Sequence, residues 1–235
     1  MPLISLSQVL FSQGFGTRRE CEVLIRSRRV AVDGAPLDDP DHRLAADALV
    51  FSVDGVDWTY AEHALLMLNK PAGFECSQRP SNHPSVMSLL PAPLRRRGVQ
   101  PVGRLDTDTT GLLLLTDDGA LIHRLTSPKR HVPKVYEAQC AEPVTAQQLE
   151  RLLAGVVLKD DAQPVRARAA AALGATALQL TLTEGRYHQV KRMVAAAGNH
   201  VRSLHRSRFG ALALPDDLAP GQWRWLSGPE VLGEA

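Results

Sequence analysis

No apolar run in this chain reaches the roughly 18 residues that a membrane-spanning helix needs. The N-terminus, MPLISLSQVLFSQ, lacks the basic flank and cleavage site of a secretory leader. A soluble, cytoplasmic protein with no membrane partner is expected. Cysteine is scarce: Cys21, Cys76 and Cys140 are far apart, odd in number, and form no CxxC pair. That argues against a disulfide framework or a cysteine zinc cluster and for packed, reduced thiols. Also missing are the GxxxxGKS/T and GxGxxG phosphate loops, HExxH, an EF-hand loop and GxSxG. Nucleotide-cofactor and metal enzymes therefore lose their usual signatures, and there is no internal repeat.

What is present is an ordinary globular balance, 44% apolar and 22% charged over 235 residues, which excludes a disordered tail protein and a fibrous repeat. The length suits one large domain or two smaller ones and buries about 70% of the unfolded surface without a staple. Net charge is only +2, yet the charges are segregated. Residues 18–29 hold five arginines against two glutamates, and residues 95–134 hold eight basic residues against four aspartates. Residues 184–208 hold six basic residues against one glutamate, while acids gather at 38–57 and 216–217. Three such clusters fit a basic face that follows a phosphate backbone; each alone equally fits a solvated surface.

The first 50–60 residues read as a small unit. Leu6, Val9, Leu10 and Gln13 have helical spacing, stopped at Gly14-Phe15-Gly16. Thr17 and Glu20 form a capping-box pattern for a second helix, with Cys21, Leu24 and Ile25 on one side and arginines elsewhere. A strand at 30–32, a turn at Asp33-Gly34 and a strand at 49–53 follow. Two short helices and a hairpin suit a docking module rather than an enzyme. Residues 54–63 are polar, and the linker is placed in their second half. Beyond it, strands are predicted at 65–69, 112–116, 135–140, 165–171, 177–183 and 201–205. Helices are predicted at 119–125, 145–153 and 187–197. Several strands follow one another through turns too short for a helical crossover. The expectation is an α+β fold with a mixed, largely antiparallel sheet.

Two polar islands stand out. The first runs from Gly103-Arg104-Leu105-Asp106 through Thr107-Asp108-Thr109-Thr110-Gly111 into the leucine run 112–115. An acid flanked by an arginine and threonines before a buried strand fits a catalytic carboxylate; it equally fits a polar turn bonded to its own backbone. The second, residues 183–193, reads as a helix from about Tyr187. Tyr187, Val190 and Val194 would share one face, and His188, Lys191 and Arg192 another. That cationic stripe fits either an anion or carboxylate partner or a solvated basic face. Tyr136, in Lys134-Val135-Tyr136, stands in a predicted strand, where a ring is usually half-buried packing.

Taken together these segments resemble a family. Gly103-Arg104-Leu105-Asp106 followed by Thr110-Gly111 and the leucine run resembles the signature of ribosomal RNA pseudouridine synthases. Leu68-Asn69-Lys70-Pro71-Ala72-Gly73 is similar to the strand-turn motif that precedes it. Lys134-Val135-Tyr136 is similar to the tyrosine motif, and residues 185–193 to the C-terminal basic motif. The four occur in the family's order across residues 64–209. Residues 5–34 resemble, more loosely, the αL RNA-binding module. Ser5 and Gln8 stand where that module often carries basic residues, so its first helix would bind RNA less strongly. Residues 185–193 with Gly198-Asn199-His200-Val201 are most similar to the small-subunit (16S) enzymes.

The resemblance implies a pseudouridine synthase fold: an αL module at 1–58, a linker at 59–63 and a catalytic domain at 64–235. It implies isomerisation of a flipped-out uridine without cofactor or metal. Asp106 takes the place of the essential carboxylate, acting on the sugar or the uracil ring, or as a base on the ribose. Lys191 takes that of its basic partner, and Tyr136 that of the tyrosine stacked on the base. Expected RNA contacts are Arg104 near Asp106, Arg18, Arg19 and Arg29 in the module, and Lys134, Arg186, His188, Gln189 and Arg192. Residues 124–134 and 202–208 would add phosphate contacts. The implied partner is 16S rRNA or a small-subunit assembly intermediate, met by a monomer. The rivals are a 23S or dual-substrate synthase and a non-catalytic RNA-binding or ribosome-assembly protein. A glycosidase-type hydrolase pairing Asp106 with Asp108 ranks below both, since two residues of separation let the carboxylates diverge.

Overall fold

The computed structural model describes residues 3–159, 161 and 163–233. The chain divides into two compact units. One comprises the described residues of Met1–Ala64 together with Leu90–Val99, the other Leu65–Leu89 with the described residues from Gln100 on.

The first unit contains β1 (Leu3–Ser5), α1 (Leu6–Ser12), α2 (Arg18–Arg26), β2 (Val30–Val32), β3 (Ala35–Leu37), β4 (Arg43–Ala45), β5 (Val50–Val53), β6 (Val56–Thr59) and α3 (Ala92–Arg96). Ser5 caps α1, its hydroxyl accepting from the Gln8 N–H. Thr17 and Glu20 close the expected capping box on α2. The i, i+3, i+4 stripe of Leu6, Val9 and Leu10 meets Cys21, Ile25 and Phe51 in a buried cluster. Gly14 must be glycine: its φ is +83°, and a Cβ there would lie 2.2 Å from the carbonyl oxygen of Pro93.

Two features differ from the sequence expectation. The polar stretch after Val53 folds back at Asp54-Gly55, both at positive φ, and pairs β6 with β5. Polarity hid a hairpin turn of the same kind as Asp33-Gly34, so residue 59 closes a strand instead of opening a linker. Residues 90–99 group with this unit. Their Arg97 donates to the Gln13 side chain and, at 2.8 Å each, to the carbonyls of Ala61 and Glu62. Non-local bonds of this kind have no local sequence signal.

The second unit contains β7 (Leu65–Lys70), β8 (Gln100–Pro101), β9 (Thr110–Thr116), α4 (Gly119–Thr126), β10 (Lys134–Cys140), α5 (Ala146–Ala154), β11 (Ala169–Ala172), β12 (Ala177–Leu182), α6 (Gln189–Ala196), β13 (Val201–Phe209), β14 (Leu212–Ala213) and β15 (Trp223–Trp225). Its sheet has the order β11-β12-β10-β13-β9-β7-β15, with β14 beside β13 and β8 beside β9. Among the described strands only β9 and β13 pair in parallel, so the sheet is mixed and largely antiparallel. β7 is buried at every residue, and β9 at all but its first, which is why both read as unbroken apolar runs. One apolar cluster joins β10 and β12 to α5 and α6, and another joins β7 and β9 to α4. The three cysteines are free and buried. Among the described residues no helix is long and apolar enough to cross a membrane.

The predicted helix from Tyr187 starts later, at Gln189. His188 stands at φ 47°, ψ 34° as its left-handed N-cap, and Tyr187 lies outside the helix, 76% exposed. Tyr187 therefore does not share the buried face of Val190 and Val194. Strand β13 runs four residues past its expected end, to Phe209. That extension carries the second correction: Arg206, counted above with the surface cations, is 2% exposed.

Candidate active site

The site forms where the parallel pair β9 and β13 meets the loop that enters β9. At Gly111, φ is +103° and a Cβ would lie 2.3 Å from the carbonyl oxygen of Arg206, so glycine alone permits this approach. The loop is fastened from below by Lys70, which is wholly buried at the end of β7. Its ammonium donates to the carbonyls of Pro71 (3.1 Å), Thr107 (3.1 Å) and Thr109 (2.8 Å). Burial pushes the Lys70 pKa down, opposed by the charges of Cys76, Asp108 and Asp106. The Leu105 N–H points to Cys76 Sγ at 3.4 Å, and the Thr109 N–H closes a turn on the Asp106 carbonyl. Asp106 is thus held by backbone at both ends, with its carboxylate 28% exposed.

Two side chains converge on it. Lys191, in the first turn of α6, places Nζ 3.4 Å from Asp106 Oδ2. His188 places Nε2 3.4 Å from Oδ1. Lys191 lies nearer still to Asp108, with Nζ 2.6 Å from its Oδ1. That hydrogen bond pulls the Asp108 carboxyl below its ordinary pKa. The expected Asp106–Lys191 pair is therefore a shared one, and Asp108, considered above only as a glycosidase partner, is its third member. The left-handed turn at His188 aims the imidazole back at the carboxylate while its ring stacks on Tyr187 (3.8 Å, 17°).

Asp106 opens on a cavity of about 600 Å³ that Arg104, Lys134, Tyr136, Arg186, His188 and Arg206 also line. Tyr136 thus faces the same space as Asp106, and Arg104 stands exposed at it. Arg186 is held by Asp161 and by Glu184. Gln189 turns inward: its Oε1 accepts from the Arg186 N–H (2.8 Å), and its Nε2 donates to Glu184 (3.0 Å). Both brace the turn before α6. Arg192 donates to the Tyr187 carbonyl. Arg124, Arg130, Arg202 and Arg208 remain exposed. In the first unit Arg19 is exposed, Arg18 lies 4.5 Å over the Phe11 ring, and Arg29 pairs with Asp54 at 2.7 Å.

Sequence reading missed Lys70, Asp108 and Arg206. Lys70 stood inside a quoted motif, and Asp108 two residues from Asp106. Arg206 had no signal beyond alternation with Leu204.

Comparison with known proteins identifies the family to which this fold belongs. Residues 64–196 match the model of RNA pseudouridylate synthase, and residues 5–50 that of the S4 domain. The chain is 40% identical over 215 residues to ribosomal small subunit pseudouridine synthase A of Escherichia coli K12, covering 88% of this chain and 89% of that protein. It is 38% identical over 229 residues to the uncharacterized RNA pseudouridine synthase YtzG of Bacillus subtilis, covering 96% of each. A crystal structure of a pseudouridylate synthase superposes with a TM-score of 0.68 at 34% identity, over 97% of this chain and 98% of that one. The chain belongs to the RNA pseudouridylate synthase family, with an S4 domain at its N-terminus.

Proposed function

We propose that this protein converts one uridine of 16S rRNA to pseudouridine, with Asp106 as the essential carboxylate. The observation that carries the reading is Asp106 at the mouth of a cavity shared with Tyr136, its two oxygens each 3.4 Å from a nitrogen of Lys191 or His188. The reaction breaks the bond from ribose C1′ to uracil N1 and forms one from C1′ to C5. The C5 proton is lost and N1 gains one, so the product is an isomer and no electrons are exchanged with a second reactant. Asp106 acts on the ribose or the ring; Lys191 and His188 face its two oxygens and hold it in place; Tyr136 lies against the base. The base enters by flipping, at a cost of a few kcal/mol.

The 16S assignment rests on the 40% identity to the small-subunit enzyme of Escherichia coli and on residues 185–193 and 198–201. The S4 region adds a second RNA contact that raises effective concentration. Division of labour between a docking part at 1–58 and a catalytic part at 64–235 joined by 59–63, a monomeric state, a cytoplasmic location and a 16S rRNA or small-subunit assembly-intermediate partner complete the proposal. The test is to incubate the protein with 16S and 23S transcripts and map pseudouridine in both. One new site in 16S RNA, lost with Asp106→Asn while RNA binding persists, is the expected result. A site in 23S RNA alone overturns the substrate assignment. Equal yield from wild type and Asp106→Asn overturns the catalytic one.

A further inference from the structure

The charges around the cavity do not balance. Its acidic lining residues are Glu75, Asp106 and Glu184. The Glu75 oxygens accept the N–H groups of Ser81, Asn82 and His83 at 2.9–3.0 Å. Those of Glu184 accept from Arg186 and Gln189, and those of Asp106 face His188 and Lys191. Every carboxylate is engaged. Among the described residues no acid pairs with Arg206, which is buried, with Lys134, which is half-buried, or with the exposed Arg104; the first two are the ones withdrawn from water. The Lys134 ammonium donates to the Val132 carbonyl at 2.9 Å. The Arg206 Nε donates to the Leu112 carbonyl at 2.8 Å, and its buried Nη2 has no partner. Both cations flank one ring, Phe209, at 5.1 and 5.3 Å from its centre. They share the wall with Tyr136, which pairs with Arg206 across the sheet and stands two residues from Lys134 on β10.

A buried and a half-buried cation side by side without a counter-charge are costly in the empty site, and a guanidinium N–H without a partner marks a place left for an acceptor. The reaction proposed above supplies one. Whichever way Asp106 acts, the uracil ring carries negative charge during the rearrangement. If C1′–N1 breaks first, its electron pair leaves with the ring and spreads onto O2 and O4. If Asp106 adds to C6, the displaced ring electrons move onto O4. In either case C1′–N1 is broken before carbon 5 of that electron-rich ring bonds C1′; any bond made to Asp106 is then released, the C5 proton departs and N1 gains a proton.

We infer that Lys134 and Arg206 are an electrostatic cradle for the uracil ring, holding the negative charge that its carbonyl oxygens gain when the glycosidic bond is broken. The inference rests on the proposed activity and adds a site for the departing base. Burial and the neighbouring Arg206 push the Lys134 pKa down to about 8, which shows how little the empty cavity compensates this charge. Fixed charges aimed at charge that develops only during reaction favour the transition state over bound substrate.

The experiment compares 16S transcripts made with uridine or with 5-fluorouridine, whose ring holds negative charge more readily. Single-turnover rates at saturating enzyme are read by tritium release from carbon 5, or by chromatography of the rearranged fluoro-nucleoside. Lys134→Met is expected to slow the uridine reaction roughly 100-fold while RNA affinity stays within about threefold. On the fluorinated transcript the loss shrinks to about tenfold or less. Lys134→Arg restores most of the rate. Each ratio is taken within one preparation, so a misfolded fraction cancels. Equal losses on the two transcripts overturn the inference. So does a loss confined to RNA affinity, which marks Lys134 as a phosphate contact. Wild-type protein that rearranges neither 16S nor 23S transcript overturns the proposed activity instead.

Discussion

The two sides of the cavity use positive charge in opposite ways. On the Asp106 side, Lys191 and His188 meet two carboxylates, and each contact is already made in the free protein. Elsewhere in the lining, Lys134 and Arg206 meet none among the described residues. A compensated cluster holds atoms in place and stabilises the fold; an uncompensated one costs stability and is useful only when a ligand brings the missing charge. In the proposed reaction the first side would position the carboxylate and the second would meet the base.

Substitutions test this contrast. Asp106→Asn keeps the shape of the loop but removes the charge. It is expected to lower the saturating rate of pseudouridine formation by at least about 1,000-fold, with RNA affinity little changed by filter binding. Lys191→Met removes the cation shared by the two acids and is expected to cost about 100-fold in the same assay. An unchanged rate would separate Lys191 from the chemistry. Asp108→Asn removes the negative charge that faces Lys191 at 2.6 Å. A loss of about fivefold in kcat with KM unchanged is expected.

The smallest effect is on stability, and it has the opposite sign on the second side. The Lys134 pKa is lowered from 10.5 to about 8 in the folded protein, by burial first and Arg206 second. Between those values the unfolded chain holds a proton that the folded protein has released, so this residue makes stability rise with pH across that window. Below pH 8 the full cost of the buried charge is felt. The charged group facing it is Arg206 on β13, and the acids Glu75, Asp106 and Glu184 are engaged elsewhere. Lys134→Met should therefore raise the Tm at pH 7 by about 4 °C, and the gain should shrink as pH approaches 10. A lower Tm at pH 7 would mean that the ammonium is compensated after all. Taken with the expected loss of activity, the variant would be more stable and slower.

Much of the architecture was legible because its causes are local. Thr17 with Glu20 and Thr145 with Gln148 are capping boxes that a few neighbouring residues suffice to form. β7 and β9 announce themselves because both of their faces are buried. Asp106, Tyr136 and Lys191 stand in motifs visible in the sequence; Asp106 and Tyr136 line one cavity, and Lys191 lies 3.4 Å from Asp106. What escaped depends on remote partners. β15 is three residues long, and its role comes from pairing with β7, more than 150 positions earlier. Residues 90–99 lie between parts of the second unit in sequence yet bond to Gln13 and Ala61.

The sequence by itself determined most of the helices and longer strands and their order, because periodicity, caps and turn residues act over a few positions. Tertiary structure alone decided which charges are paired. An arginine reads the same at position 202 or 206, and only the packing of β13 against β9 leaves one in water and buries the other without a counter-ion. Dielectric surroundings are made by residues distant in the chain, and no local pattern encodes them.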